Sequence, residues 1–254
     1  MFWLFNLTSL QFVSTAGRRA TFLGVALAFY KGGCRPKFLS MKTMLYIDGF
    51  NFYYSAVKGT SLRWLNPHAL VARVFPRNHI VGTKYFTAIV SPLPGNLDQP
   101  VRQAIYWRAL RTLPNLEIIK GDFRTRTVRA TVVYPPPNTI EVFKTEEKGS
   151  DVNLAAHLLF DGFSGRYDCA IVVSGVSDLV TPIRMVRDEL KKPIGILNPQ
   201  RISGANLRPV RRSAGLREVA SFYRNGISWA QLEESQFGLR LSDSQGVIQK
   251  PASW

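Results

Sequence analysis

Leu45-Tyr46-Ile47-Asp48-Gly49-Phe50-Asn51 is an apolar run that ends abruptly on a carboxylate and a glycine. Ala170-Ile171-Val172-Val173-Ser174-Gly175-Val176-Ser177-Asp178 follows the same plan. Each reads as a buried parallel strand with an acid at its carboxyl end and a helix after it. In open α/β sheets, ligands bind outside the carboxyl ends of the strands. A third acid lies in Lys148-Gly149-Ser150-Asp151-Val152-Asn153, where a mostly apolar helix should begin. There Ser150 is the expected N-cap, and Asp151 sits in the first turn, where the helix dipole favours negative charge. Taken singly, each acid has an ordinary structural explanation. As a set, Asp48, Asp151 and Asp178 are expected to meet at one divalent cation.

The chain has 254 residues, enough for one domain with extensions and a real core. An apolar content of 46% with 20% charged residues excludes a disordered chain. The net charge of +16 is the outlier, and a surface that basic points to a polyanion, nucleic acid before anionic membrane. Cys34 and Cys169 are the only cysteines. They make no disulfide framework and no metal-ligand spacing, so a reducing, cytoplasmic setting is expected.

Residues 1–40 hold no Asp or Glu and five basic residues, Arg18, Arg19, Lys31, Arg35 and Lys37. The apolar stretch 22–30 inside them is too short to span a bilayer, which takes about 20 residues. This segment is expected to lie outside the fold, with no stable membrane insertion. Residues 41–200 read as the domain and 201–254 as a basic segment and tail. A first strand over 44–48 and a helix over 51–57 come first. Asn66-Pro67 then announces a helix to about 74, with Asn66 as cap. A strand over 81–90 and a helix over 98–113 follow, the helix patterned by Val101, Ile105, Ala109 and Leu113.

A third strand is expected over 116–120. The β-rich runs 124–134 and 139–144, parted by Pro135-Pro136-Pro137-Asn138, predict a hairpin. A helix from Asp151, a strand ending at Val173, a helix over 181–190 and a fifth strand at 194–197 complete the alternation. Ala214 to Tyr223 is expected to return to the core, and 227–254 to hold a short helix and a tail. The basic residues placed for phosphate contact are Lys148, Arg124 and Arg126, with Arg208, Arg211 and Arg212 in an acid-free arginine run.

Tyr46-Ile47-Asp48-Gly49-Phe50-Asn51, Glu147-Lys148-Gly149-Ser150-Asp151-Val152 and Val173-Ser174-Gly175-Val176-Ser177-Asp178-Leu179 resemble the three motifs of NYN domains, a family of the PIN-like nuclease superfamily. The resemblance spans about residues 43–200, and the tail from Leu232 to Trp254 is similar to the ending of a bacterial NYN subgroup. It implies a three-layer α/β/α PIN-like (Rossmann-like) fold with a central, mainly parallel sheet and an inserted β-hairpin. It also implies Mg²⁺- or Mn²⁺-dependent cleavage of RNA, single-stranded in the first instance, with homo-oligomerisation left open. Carried over by position, Asp48 is the first-strand ligand with Asn51 as its polar neighbour, and Asp151 is the helix-start acid. Asp178 is the acid of the fourth-strand loop, which Ser174 and Ser177 line. The chain departs from the family twice. Val176 replaces the first acid of a Ser-(Gly/Asn)-Asp-Ser-Asp loop, and His157 stands where many relatives carry an acid.

Three functions are compatible with these residues. The first is a metal-dependent endoribonuclease whose cation activates water for in-line attack on phosphorus. The second is an RNA-binding pseudonuclease that Val176 has deprived of turnover. The third, a phosphatase or nucleotide hydrolase, is disfavoured because Asp48 is followed by Gly-Phe-Asn, without a second aspartate two residues on. No phosphate-cradling glycine motif is present. His157 is expected to be a structural helix-face residue before a metal ligand, and Trp64, Trp107 and Trp229 to pack before stacking on bases.

Overall fold

A computed structural model describes residues 41–92, 95–134, 138–202 and 213–254. The 1–40 extension, the side chain of Arg124, and Arg208, Arg211 and Arg212 lie outside the described residues and atoms. Seven strands build one sheet: β1 (Lys42–Asp48), β2 (His79–Ala88), β3 (Leu116–Thr131), β4 (Thr139–Lys148), β5 (Cys169–Val173), β6 (Ile194–Leu197) and β8 (Phe222–Arg224). Their spatial order is β4-β3-β2-β1-β5-β6-β8. Every neighbouring pair is parallel except β3 with β4, which run antiparallel. Two short strands, β7 (Arg201–Ile202) and β9 (Ile227–Ser228), pair separately, and β10 (Arg240–Asp243) with β11 (Gly246–Gln249) closes a C-terminal hairpin.

Both faces of β1 are buried, as its unbroken apolar run requires. Leu45 and Ile47 enter one core layer and Tyr46 the other. The first layer packs under α1 (Gly49–Phe52), the π-helical turn Tyr53–Val57 that continues it, α2 (Pro67–Val74), α3 (Gln99–Arg111) and α7 (Trp229–Glu233). The second is covered by α4 (Ser150–Phe163), α5 (Val180–Asp188) and α6 (Ala214–Val219). The architecture is the expected three-layer α/β/α arrangement around a mainly parallel sheet.

Local details differ from the sequence reading for physical reasons. The strand expected to stop near 120 continues as one 16-residue strand, because its second half exchanges β2 for β4 as partner. The hairpin is therefore an outgrowth of the sheet. Along α3 and just past its end, three residues of the expected stripe meet the first core layer, Ala109 fully buried and Ile105 and Leu113 packed against it, joined by Trp107 and Leu110; only Val101, in the first turn, is exposed, at 60%. The expected C-terminal tail is ordered packing: Leu232, Phe237 and Ile248 are buried in the first core layer. Asn66 caps α2 as expected, accepting the Ala69 N–H at 3.1 Å.

A buried polar cluster pins α4 to the sheet. The Asp161 carboxylate of α4 is fully buried and meets Lys84 Nζ of β2 at 2.6 Å, and it accepts the Tyr46 hydroxyl of β1 at 2.8 Å. Arg166 binds its other oxygen at 2.8 Å. Burial pushes the Asp161 carboxyl up, but the hydrogen bonds from Lys84 and Tyr46 and the charge of Lys84 outweigh it, leaving it below the usual range. His157 belongs to this cluster, its Nδ1 lying 2.9 Å from Lys84 Nζ. Truncating one partner of such a pair strands a buried charge. Asp161→Ala should lower unfolding stability by about 3–5 kcal/mol in urea titrations, and Lys84→Met with Asp161→Leu should recover most of that loss. A double variant as unstable as the single one refutes this assignment.

Candidate functional site

The polar groups that cannot enter either core layer collect where β1 and β5 end. Asp48 is the last residue of β1 and only 3% exposed. Its Oδ1 accepts the Asn51 N–H at 2.9 Å, which caps α1, and its Oδ2 accepts the Ser174 hydroxyl at 3.0 Å. Ser174 Oγ in turn accepts the Val176 N–H at 3.1 Å, and Asn51 Oδ1 accepts the Gly175 N–H at 3.0 Å. The loop after β5 is thus tied to the end of β1 by Asn51 and Ser174. The two residues expected only to line the site are what hold it together.

Gly49 is required here by space. A Cβ at this position would lie 2.6 Å from the Tyr85 ring and 2.7 Å from the Phe86 carbonyl oxygen. The absent side chain lets β2 close against the end of β1.

Asp151 lies in the first turn of α4 and is half-buried. The N-cap position belongs to Gly149, whose φ of 97° is left-handed, and Ser150 is the first helical residue. The Ser150 N–H is satisfied by Glu147 Oε1 at 2.9 Å. Glycine allows that reversal and Glu147 takes the role expected of Ser150. Asp178 lies in a 3-10 turn, Ser177–Leu179, and is exposed, with Ser177 Oγ 3.5 Å from its carboxylate.

Electrostatics link these acids. Burial raises Asp48 to about 6 despite the Asn51 and Ser174 hydrogen bonds, and the charges of Asp151 and Glu147 push it further in that direction. Asp151 is also raised, first by burial and then by Glu147 and Asp178. The acids therefore share one electrostatic neighbourhood, which Glu147 joins. Among the described residues, however, no three His, Cys, Asp or Glu side chains stand close enough to ligate one ion together. The donor chemistry still suits a hard cation: Mg²⁺ is commonly held by one or two carboxylates completed by water and substrate oxygen. Asp48 and Asp151 supply such a pair, and each Asp48 oxygen keeps a free lone pair.

His157 is turned into the Lys84 cluster, away from this set. Trp64 is fully buried, as its packing reading requires. Arg126 and Lys148 are exposed on the β3–β4 outgrowth, and both engage neighbouring groups.

The profile of the NYN domain family matches residues 42–209, which contain the three acids, Asn51 and Ser174. The chain belongs to the NYN domain family. Membership places it in the PIN-like nuclease superfamily that its motifs resemble. Its sequence is also 31% identical over 243 residues to 6-hydroxy-3-succinoylpyridine 3-monooxygenase HspA of Pseudomonas putida, covering 84% of this chain and 75% of that protein. Among solved structures, a protein of unknown function from Vibrio parahaemolyticus aligns with 97% of its length on 82% of this chain, at 15% identity and a TM-score of 0.48. Among the described residues, no helix is long and apolar enough to cross a membrane.

The raised Asp48 fixes the sign of a stability effect. Its folded pKa, about 6, lies above the ordinary value of 3.8, so the folded state holds the proton more tightly than the unfolded chain. Above pH 6 the ionised, buried carboxylate opposes folding by up to about 3 kcal/mol, and the opposition fades as pH falls toward 4. Asp48→Asn should therefore raise the Tm at pH 8 by on the order of 5 °C, with the gain vanishing near pH 4. Scanning calorimetry at the two pH values reads this directly, and a variant less stable at pH 8 contradicts it.

Proposed function

We propose that this NYN domain hydrolyses RNA phosphodiester bonds with a divalent cation, Mg²⁺ or Mn²⁺, held by Asp48 and Asp151 and completed by Asp178. The observation that carries the reading is the buried Asp48 carboxylate at a strand end, raised to about 6 beside Asp151 and Glu147. Uncompensated carboxylates gathered in this way are characteristic of cation and catalytic sites. When bound, such a metal supplies water activation and neutralises charge on the phosphorane-like transition state.

The chain's own residues account for the rest. Asn51 and Ser174 fix the orientation of Asp48 through its two oxygens. Gly149 and Glu147 set the start of α4 and with it the direction of Asp151. Asp178 is exposed in its turn, and its charge acts on Asp151. The basic excess of the chain draws in the polyanion, with Lys148, Arg124, Arg126, Arg208, Arg211 and Arg212 as the phosphate contacts and a cytoplasmic setting for the substrate. Val176, in place of an acid, leaves the site one ligand short of its relatives.

A second reading rests on the 31% identity to a pyridine-ring monooxygenase across most of the chain. On that reading the same strand end serves oxygen insertion into a hydroxylated aromatic ring, with the electrons delivered by an external reductant.

Manganese titration with a single-stranded RNA readout tests the first reading. Cleavage should rise with pH through about 6 as Asp48 ionises, and Asp48→Asn and Asp151→Asn should reduce it to background. Val176→Asp should tighten Mn²⁺ about tenfold, the effect of roughly 1.4 kcal/mol from one added ligand. RNA left intact by wild type and by Val176→Asp alike ends the hydrolytic reading. Reductant-dependent oxygen uptake with 6-hydroxy-3-succinoylpyridine would then establish the second, and its absence removes that one too.

A further inference from the structure

A second concavity opens on the face of the sheet opposite α4, between α1, its π-helical continuation and α3. Its cavity volume is about 110 Å³, and its mouth is open to solvent. Phe50, Tyr53, Tyr54, Tyr106 and Trp254 contribute aromatic walls, and Gly49 and Tyr85 form its inner end. Gly49 directly follows Asp48, and the Asp48 charge helps to raise the Tyr85 phenol after burial, its larger cause. The cleft thus reaches the residue that follows Asp48 at the end of β1.

The charges of the cleft are one-sided. None of its described lining residues is an Asp or Glu, while Arg63 and Arg102 are both part of the wall. Arg63 is held in place by its own backbone surroundings: Nε donates to the Thr60 carbonyl at 2.9 Å and a terminal N–H donates to the Ser253 carbonyl. Its guanidinium lies 5.8 Å from the centroid of the Trp254 ring. Arg102 donates to Asn96 Oδ1 and makes a loose ion pair at 4.0 Å with Asp98, whose side chain is 84% exposed. A guanidinium carries five N–H donors, so both arginines keep donors for a ligand.

We propose that this cleft binds a planar aromatic ring carrying an anionic substituent, the ring stacking among Tyr53, Tyr54 and Trp254 and the anion meeting Arg63 and Arg102. Stacking walls alone would suit any flat apolar molecule. Two arginines in a wall without a carboxylate, one of them paired only with the exposed Asp98, favour an anion, which a guanidinium fork recognises best as a carboxylate or phosphate. The same chemistry has two sources: a nucleotide, with base and phosphate, or a small aromatic acid such as a pyridine bearing a carboxylate arm. The inference stands apart from the proposed hydrolysis, because it needs no cation at Asp48.

The test uses the full chain at pH 8 in EDTA, so that the acidic site cannot contribute. Tryptophan fluorescence and calorimetry follow titration with uridine and adenosine 5′-monophosphates, with 6-hydroxy-3-succinoylpyridine, and with adenosine as the uncharged ring. At least one charged ligand should bind, and adenosine should bind about tenfold more weakly than its monophosphate if nucleotides are the ones bound. Arg102→Gln and the exposed Tyr54→Ala should each weaken binding about tenfold, while Arg73→Gln, outside the cleft, should leave it unchanged. Preference for the nucleotides names the first source, and preference for the pyridine acid names the second. Absence of binding by all charged ligands at about 1 mM overturns the proposal. So does full affinity in folded Arg102→Gln and Tyr54→Ala, or equal binding of adenosine and its monophosphate.

Discussion

The constraint on which the rest depends is that β1 is enclosed on both faces and along both edges. β2 and β5 take its hydrogen bonds on either side, and residues 45–47 divide between two apolar layers. A strand so placed has room for a polar side chain only where it ends. Asp48 occupies that end, where it is still deep enough to lose most of its hydration. Two donated hydrogen bonds do not offset desolvation and two neighbouring carboxylates, so its ionised form, though present at neutral pH, costs more here than in water. A carboxylate kept in this condition weakens the fold, which is the usual mark of a group retained for chemistry.

Placement of the second acid follows from a different set of forces. α4 is anchored by a charge pair, Lys84 with Asp161, that the interior shields almost completely from water. Such a pair adds little net stability against an apolar alternative, but it permits only one docking of the helix, since any other would leave both charges unmet. Gly149 and Glu147 then determine how the chain enters the helix. This anchoring keeps Asp151 within the electrostatic reach of Asp48, three turns from the pair that secures the helix. His157, in the middle, is drawn to Lys84, so the position where many relatives hold an acid is spent on structure here.

The central strands, their order of alternation with helices and the end position of Asp48 were legible because uninterrupted apolar runs admit few other environments. Asn66-Pro67 was legible for the same reason: cap and first-turn proline are local chemistry. Three things were not. The continuous β3 changes partner in mid-strand, from β2 to β4, and no local pattern announces that change. The cap role of Glu147 required knowing that Gly149 is left-handed. The Lys84–Asp161 pair joins residues 77 positions apart, each of which reads by itself as a surface charge. Of the candidate site, its residues were readable and its spacing was not: the acids influence one another without closing to a common ligating distance among the described residues. Asn51 and Ser174 were read as neighbours of the site, whereas their hydrogen bonds make them its braces.

Gly49 joins the two halves of this molecule's chemistry. A side chain there would strike the Tyr85 ring and the β2 backbone, and this glycine both follows Asp48 and lines the aromatic cleft. The scaffold by itself does not select a reaction, since the same fold can carry unrelated chemistries. This is the physical sense in which one family can contain RNA-cleaving domains and a relative named for oxidation of a pyridine ring. Both reactions concern aromatic rings that carry anionic groups, a base with its phosphate in one and a pyridine with its acid arm in the other. The strand end that carries Asp48 and the aromatic cleft are built from different side chains, so substitutions around Tyr53, Tyr54 and Arg102 can reshape the cleft while the strand end stays as it is.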